Sequence, residues 1–168
     1  GEKDGETDRE RVGRLLDFGV RSFVDLMQDG ERHWRTFEPF EPYDSTLEDL
    51  KVERGIQADR EQFHIEDVSI PDSPEKMRSV LDRIKQGVDA DCLVYVHCLG
   101  GHGRTGTVAG CWLLECGLAA GDSHALDLIE QAREHDEFLK NHTSPETQEQ
   151  RDYIRDWGLT ADSSEELL

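Results

Sequence analysis

The segment that most restricts the fold is Cys92-Leu93-Val94-Tyr95-Val96-His97, followed directly by Cys98-Leu99-Gly100-Gly101-His102-Gly103-Arg104-Thr105-Gly106-Thr107. A continuous apolar run of this length reads as a strand buried on both faces, inside a sheet that helices cover. The glycine-rich stretch behind it ends the strand, and helical spacing resumes from about Arg104 to Cys116. Gly100, Gly101 and Gly103 let the backbone curl so that successive N–H groups point inward as an anion nest. The following helix adds its positive end.

Such a loop has a definite chemistry. A thiol at its base, Cys98, is favoured as the thiolate, which is the nucleophilic form. Arg104 can grip two phosphate oxygens with its planar fork and stabilise the charge on a transferring phosphoryl group, a geometry lysine cannot reproduce. Phosphate binding is expected from the backbone of Leu99, Gly100, Gly101, His102 and Gly103 together with Arg104. A cysteine followed six residues later by arginine is weak evidence alone. The preceding strand, the His-Cys step, the glycines, the Arg-Thr step and the helix are nearly independent requirements, and together they make the signal specific.

The rest of the chain frames this loop. Arg9 to Phe18 has apolar residues at helical spacing, with Gly19 as its stop. Val20 to Met27 is rich in strand formers. Residues 28–44 read as a loop, and Ser45 to Glu53 as a short helix capped by Ser45. Phe63 to Ile70 alternates as a second strand. Ser73 caps a helix with Pro74 at its first position and Gly87 at its end. Helices are expected over Asp122–Glu134 and over Pro145–Trp157, the latter capped by Ser144. The fold class is therefore α/β: a central, mostly parallel sheet flanked by helices, with a helical C-terminal half. One domain over 9–158 is expected, with flexible ends at 1–8 and 159–168.

Charge narrows the partners. The net charge is −19 over 168 residues, and 14 of the 19 basic residues are arginine. This excludes a broad basic face for nucleic acid or anionic membrane. The dispersed acidity fits a salt-adapted source, and equally an ordinary acidic protein. The four cysteines, Cys92, Cys98, Cys111 and Cys116, form no CxxC pair and no metal-ligand pattern. No cofactor or metal is expected, and no disulfide between Cys92 and Cys98. Cys111 and Cys116 read as small packed hydrophobes. No apolar run approaches the roughly 20 residues that span a bilayer, and the N-terminus shows no signal-peptide core. A reducing cytoplasm is the expected compartment.

HCLGGHGRTGT resembles the signature of the cysteine-based protein tyrosine phosphatase superfamily: His-Cys, five residues, Arg, then Ser or Thr. The late position of the motif resembles the tyrosine and dual-specificity branches. The resemblance implies a phosphocysteine intermediate and a phosphorylated protein or small phosphate ester as substrate. It also implies an upstream aspartic acid that protonates the leaving oxygen. Ile70-Pro71-Asp72 resembles the family's Trp-Pro-Asp step, 26 residues before Cys98. Asp72 is therefore the expected acid and Asp67 the alternative. Thr105 takes the place of the hydroxyl that assists the second step, and capping the helix is its structural role. His97 is expected to orient the loop. The family's late Gln-Thr-x-x-Gln element, which positions water, corresponds to Glu146-Thr147-Gln148-Glu149-Gln150; Glu146 replaces its first Gln and Gln150 matches its second. The structural alternative is a capped helix. Trp34, Phe37, Phe40 and Tyr43 could line a groove for an aromatic ester, with core packing the favoured reading. Lipid-phosphatase relatives carry lysines within the loop. Leu99 and His102 stand here instead, which disfavours highly phosphorylated lipids or inositols while leaving His102 able to meet one additional phosphate.

Overall fold

The computed structural model describes residues 7–33, 36–137 and 139–165. Three strands, β1 (Val20–Asp25), β2 (Asp59–Gln62) and β3 (Leu93–His97), form an all-parallel sheet in the order β2-β1-β3. Helices α1 (Asp8–Phe18) and α2 (Asp44–Arg54) cover one face. Helices α3 (Pro74–Asp89), α4 (Gly103–Glu115), α5 (Asp122–Arg133) and α6 (Gln148–Glu165) build the other side, which is the α/β architecture expected.

The centre of the sheet is β1. Phe23 joins Val12, Leu16, Leu47 and Leu50 on the α1–α2 side. Val24, followed by Leu26, packs with Met77, Val80, Leu81, Ile84 and Val108 on the other. β3, expected to be buried on both faces, is instead an edge strand: Leu93 is 49 % exposed and Tyr95 37 %. The strand buried on both faces is β1, because it alone has a neighbour on each side.

β2 also departs from the sequence reading, which placed it at Phe63–Ile70. The ladder runs Ser22↔Asp59 to Asp25↔Gln62, through a polar edge segment that hydropathy overlooks. The alternation downstream reflects Ile65, which is buried after the chain has left the strand. Two bonds extend the pairing: Phe63 N donates to Asp25 O (2.7 Å) and Ile65 N to Leu26 O (3.2 Å). The loop over 28–44 carries one isolated bridge, Arg32 with Pro39.

Helix ends follow local chemistry. Thr7 and Glu10 form a capping box for α1, and Gly19 closes it in the left-handed region. α2 begins at Asp44, with no side-chain cap from Ser45, which lies inside the helix. Ser73 caps α3 as expected, its hydroxyl accepting from Lys76 N. Gly87 does not end α3. It lies inside the helix, where its missing side chain admits Val94 of β3. α6 starts at Gln148, three residues later than expected, and runs to Glu165 through residues expected to form a flexible tail. Its cap is not Ser144. Thr147 Oγ1 accepts from Gln150 N (3.2 Å) and Gln150 Oε1 accepts from Thr147 N (3.1 Å), a capping box.

Among the described residues, no helix is long and apolar enough to cross a membrane. Cys111 is fully buried, and burial pushes its thiol pKa up. Cys116 is exposed rather than packed, because α4 ends just before it.

Candidate active site

β3 delivers Cys98 and α4 collects the chain five residues later, so the 98–104 loop sits at the C-terminal edge of the sheet. In parallel sheets, ligands bind at that edge. Gly101 takes φ 70°, a conformation side chains disfavour, and makes the tight curl possible. Gly106 serves packing. A Cβ there would press on Ser144 Oγ and lie 3.2 Å from Pro145 N. The start of α4 is thereby seated against the segment leading into α6, and Ser144 Oγ donates to His102 O (2.7 Å).

Cys98 is buried, and its Sγ accepts a hydrogen bond from Thr105 Oγ1 at 3.1 Å. Arg104 is 1 % exposed. Its guanidinium is bridged by both carboxylate oxygens of Glu31, Nη2 to Oε2 at 3.0 Å. Nη2 also lies 2.8 Å from Asp67 Oδ1, and Nη1 donates to Ile65 O at 3.0 Å. Burial works against the charge, but the Glu31 carboxylate, then Cys98 and Asp67, more than offset it. The pKa of Arg104 therefore lies above its ordinary value. Glu31 had no signal in the sequence: it lies 73 residues upstream, within a segment that reads as loop.

The two candidate acids are in very different places. Asp67 touches Arg104. The Asp72 side chain is 72 % exposed and bonded to Lys76 Nζ at 2.6 Å, one turn along α3. That bond lowers the Asp72 pKa. Of the two candidates, the structure brings Asp67, 31 residues before Cys98, to Arg104, and leaves Asp72 paired with Lys76.

His97 lies under the loop at the end of β3. Its Nε2 shares a 2.8 Å hydrogen bond with Tyr43 Oη and lies 3.8 Å from Asp25 Oδ2. Its ring stacks on Tyr95. Burial lowers the His97 pKa, and Asp25 opposes this only in part. Asp25 is itself buried and held by Arg60 (Nη2 at 2.8 Å), which also pairs with Asp44. Burial, then Asp25, raises the Tyr43 pKa. The neutral ring is thus wedged among β1, β2, β3 and the start of α2, a support for the loop. Of the four aromatics, Tyr43 packs on the α1–α2 cluster, Phe37 is exposed, Phe40 is half-buried, and Trp34 lies outside the described residues.

His102 faces sideways. Its Nδ1 lies 3.5 Å from Glu146 Oε2 and its ring stacks on His142. Burial lowers its pKa against the pull of Glu146. Gln150 is fully buried. Its Oε1 accepts from Glu146 N (3.0 Å) and Thr147 N, and its Nε2 donates to Ser69 O (2.9 Å). Gln150 Nε2 also borders the loop, since a Cβ on Gly103 would lie 3.2 Å from it. Glu146 has a carboxylate where the family carries an amide. Among the described residues, no group of three or more His, Cys, Asp or Glu is placed to hold a metal ion.

A parallel sheet that ends in a His-Cys, glycine-rich loop, Arg-Thr turn defines the class of cysteine-based phosphatases of the tyrosine and dual-specificity type. Within it, the chain belongs to the family described as PTP-SAK, Swiss Army Knife protein, DSP-PTPase phosphatase domain, which matches residues 4–154. Two uncharacterized proteins of Methanocaldococcus jannaschii are similar. MJ0215 is 50 % identical over 48 residues (29 % of this chain, 30 % of that one), and MJECL20 is 37 % identical over 93 residues (55 % of each). The chain thus spans about a third to a half of the curated relatives it matches. Similar solved structures include Tk-PTP in its active form (TM-score 0.63, 22 % identity, 92 % of this chain and 88 % of that one). The kinase associated phosphatase KAP is also similar (0.68, 17 %, 92 % and 78 %), as is PTPMT1 in complex with PI(5)P (0.65, 13 %, 93 % and 88 %).

Proposed function

We propose that this protein is a cysteine-dependent phosphatase that hydrolyses phosphate monoesters through a phosphocysteine intermediate. The Cys98 thiolate attacks phosphorus while Arg104 and the loop amides hold the non-bridging oxygens. The ester P–O bond breaks, and the leaving oxygen takes a proton from Asp67. Water then attacks the phosphocysteine and gives its proton to the Asp67 carboxylate. The S–P bond breaks, and Thr105 donates to the departing thiolate. The observation that carries this reading is the conjunction of the 3.1 Å Thr105–Cys98 bond with a buried Arg104 that Asp67 reaches at 2.8 Å. Nucleophile, phosphate grip and proton donor are all side chains of this chain.

The substrate reading is a phosphorylated protein, with tyrosine or dual specificity. The chain's charge of −19 repels polyanions such as RNA. His102, engaged by Glu146 and His142, offers no cation for a second phosphate. Inositol phosphates are the second reading, since a structural neighbour was crystallised in complex with PI(5)P. The test is turnover of an aryl phosphate in the presence of a chelator, by the wild type and by Cys98→Ser. Retained turnover in Cys98→Ser refutes the mechanism. A panel of phosphotyrosine, phosphoserine and inositol phosphates then ranks the substrates by kcat/KM.

A further inference from the structure

The turn that carries Asp67 is pinned at both ends and strained in between. On one side Ile65 is buried, its N–H donates to Leu26 O and its carbonyl accepts from Arg104. On the other side Ser69 O accepts from Gln150 Nε2 at 2.9 Å. The Gln150 amide cannot flip, because Oε1 already takes two backbone N–H groups, and a reversed amide would set donor against donor. The same side chain borders the phosphate loop: a Cβ on Gly103 would lie 3.2 Å from Gln150 Nε2.

Between these fixed points stands Val68, with φ 62°. A β-branched residue in the left-handed region is strained. Its side chain is half exposed, so core packing does not impose that conformation. Asp67, one residue earlier, is paired with Arg104 Nη2 at 2.8 Å. While that contact persists its carboxyl group is turned to the guanidinium rather than to a leaving oxygen. A phosphate dianion on Arg104 competes for the same guanidinium edge and displaces it.

Resting on the phosphatase reading above, we propose that Gln150 is the positioning residue for the general acid. It fixes the Ser69 end of the turn, so that Asp67, released from Arg104 by the incoming phosphate, moves onto the leaving-group oxygen. Val68's strained backbone favours that departure. The role differs from positioning of the hydrolytic water: it acts in the first chemical step, through Asp67.

The experiment compares kcat/KM for two aryl esters that differ in their need for an acid. Phenyl phosphate, with a poor leaving group, needs one; dinitrophenyl phosphate does not. Gln150→Glu keeps the acceptor for the Glu146 and Thr147 amides but replaces the donor to Ser69 O. It is expected to lose about tenfold or more on phenyl phosphate, part of the roughly 100-fold or more that a general acid contributes, and much less on dinitrophenyl phosphate. Asp67→Asn should show the same selective loss. Val68→Gly, at an exposed side chain, relaxes the turn in its observed shape and should slow phenyl phosphate about fivefold. Equal losses on both esters, or no loss on phenyl phosphate, overturn the role of Gln150. A Val68→Gly enzyme as fast as wild type overturns the strained-turn step. Absence of turnover by the wild type on either ester would instead refute the phosphatase reading itself.

Discussion

Glu31 is the least expected member of the site, and its removal tests how Arg104 is held. Glu31→Gln preserves shape but removes one negative charge from a guanidinium that is 1 % exposed. It also turns an amide N–H₂ toward a donor. Removing one partner of a buried pair costs about 3–5 kcal/mol. The Asp67 carboxylate and the Ile65 carbonyl remain on Arg104, and Glu31's own side chain keeps 11 % of its exposure. The expected loss is therefore about 2–3 kcal/mol, below the full range. For a domain of this size that corresponds to a fall in Tm of roughly 5–10 °C. The freed guanidinium also loses its angle to the loop, and misplacement by about an ångström costs up to ~100-fold in rate. The assay pairs denaturant unfolding with kcat/KM on an aryl phosphate. It also measures the stabilisation that saturating inorganic phosphate confers, which should be larger in the variant because phosphate supplies the missing charge. A variant within about 0.5 kcal/mol of wild type, the range of ordinary surface changes, and with unchanged kcat/KM would refute the argument that Glu31 orients Arg104.

Thr105→Val removes the 3.1 Å bond to Cys98. A hydrogen bond to a charged group contributes about 1.5–3 kcal/mol, so kcat should fall roughly 10–100-fold, and quench-flow should reveal accumulated phosphocysteine. Asp67→Asn and Asp72→Asn separate the two candidate acids. The first should lose roughly 100-fold or more on phenyl phosphate, the second less than about threefold; the reverse order would restore Asp72. His97 supplies a pH signature. Its pKa in the folded protein lies below the ordinary 6.5 because of burial. Below that pH the unfolded chain takes up a proton that the folded chain refuses, so stability falls as pH falls, with a slope of up to ~1.4 kcal/mol per pH unit. Urea titrations from pH 7 to 5 should show this slope, and His97→Asn should reduce it.

What the sequence reveals about this protein tracks the range over which its interactions act. The nucleophilic loop is legible because strand, curl and helix follow one another within about 25 residues, and each leaves a local mark in hydropathy or glycine. The sheet order is less so. β2 is a polar edge strand whose pairing with β1 is decided by backbone bonds, and apolar alternation points instead to the segment after it. β3 looks doubly buried because its residues are apolar, yet nothing local tells an edge strand from a central one. The proposed acid shows the same limit. Ile70-Pro71-Asp72 carries the recognisable step, but the chain turns at Glu66–Ser69, where Ser69 N bonds Glu66 O, and it is Asp67 that this turn aims at Arg104. Glu31 and Gln150 are the extreme cases. Each acts across 73 or more residues, and each sits in a stretch whose local pattern says only loop or capped helix. Gln150 is in fact a helix cap; the same side chain also holds the acid turn, because α6 packs close enough to the loop for one amide to reach both. Local chemistry thus points to Cys98 and Arg104, the proposed nucleophile and phosphate grip. The groups that hold and aim them are set by how β1, the acid turn and α6 converge on the end of β3.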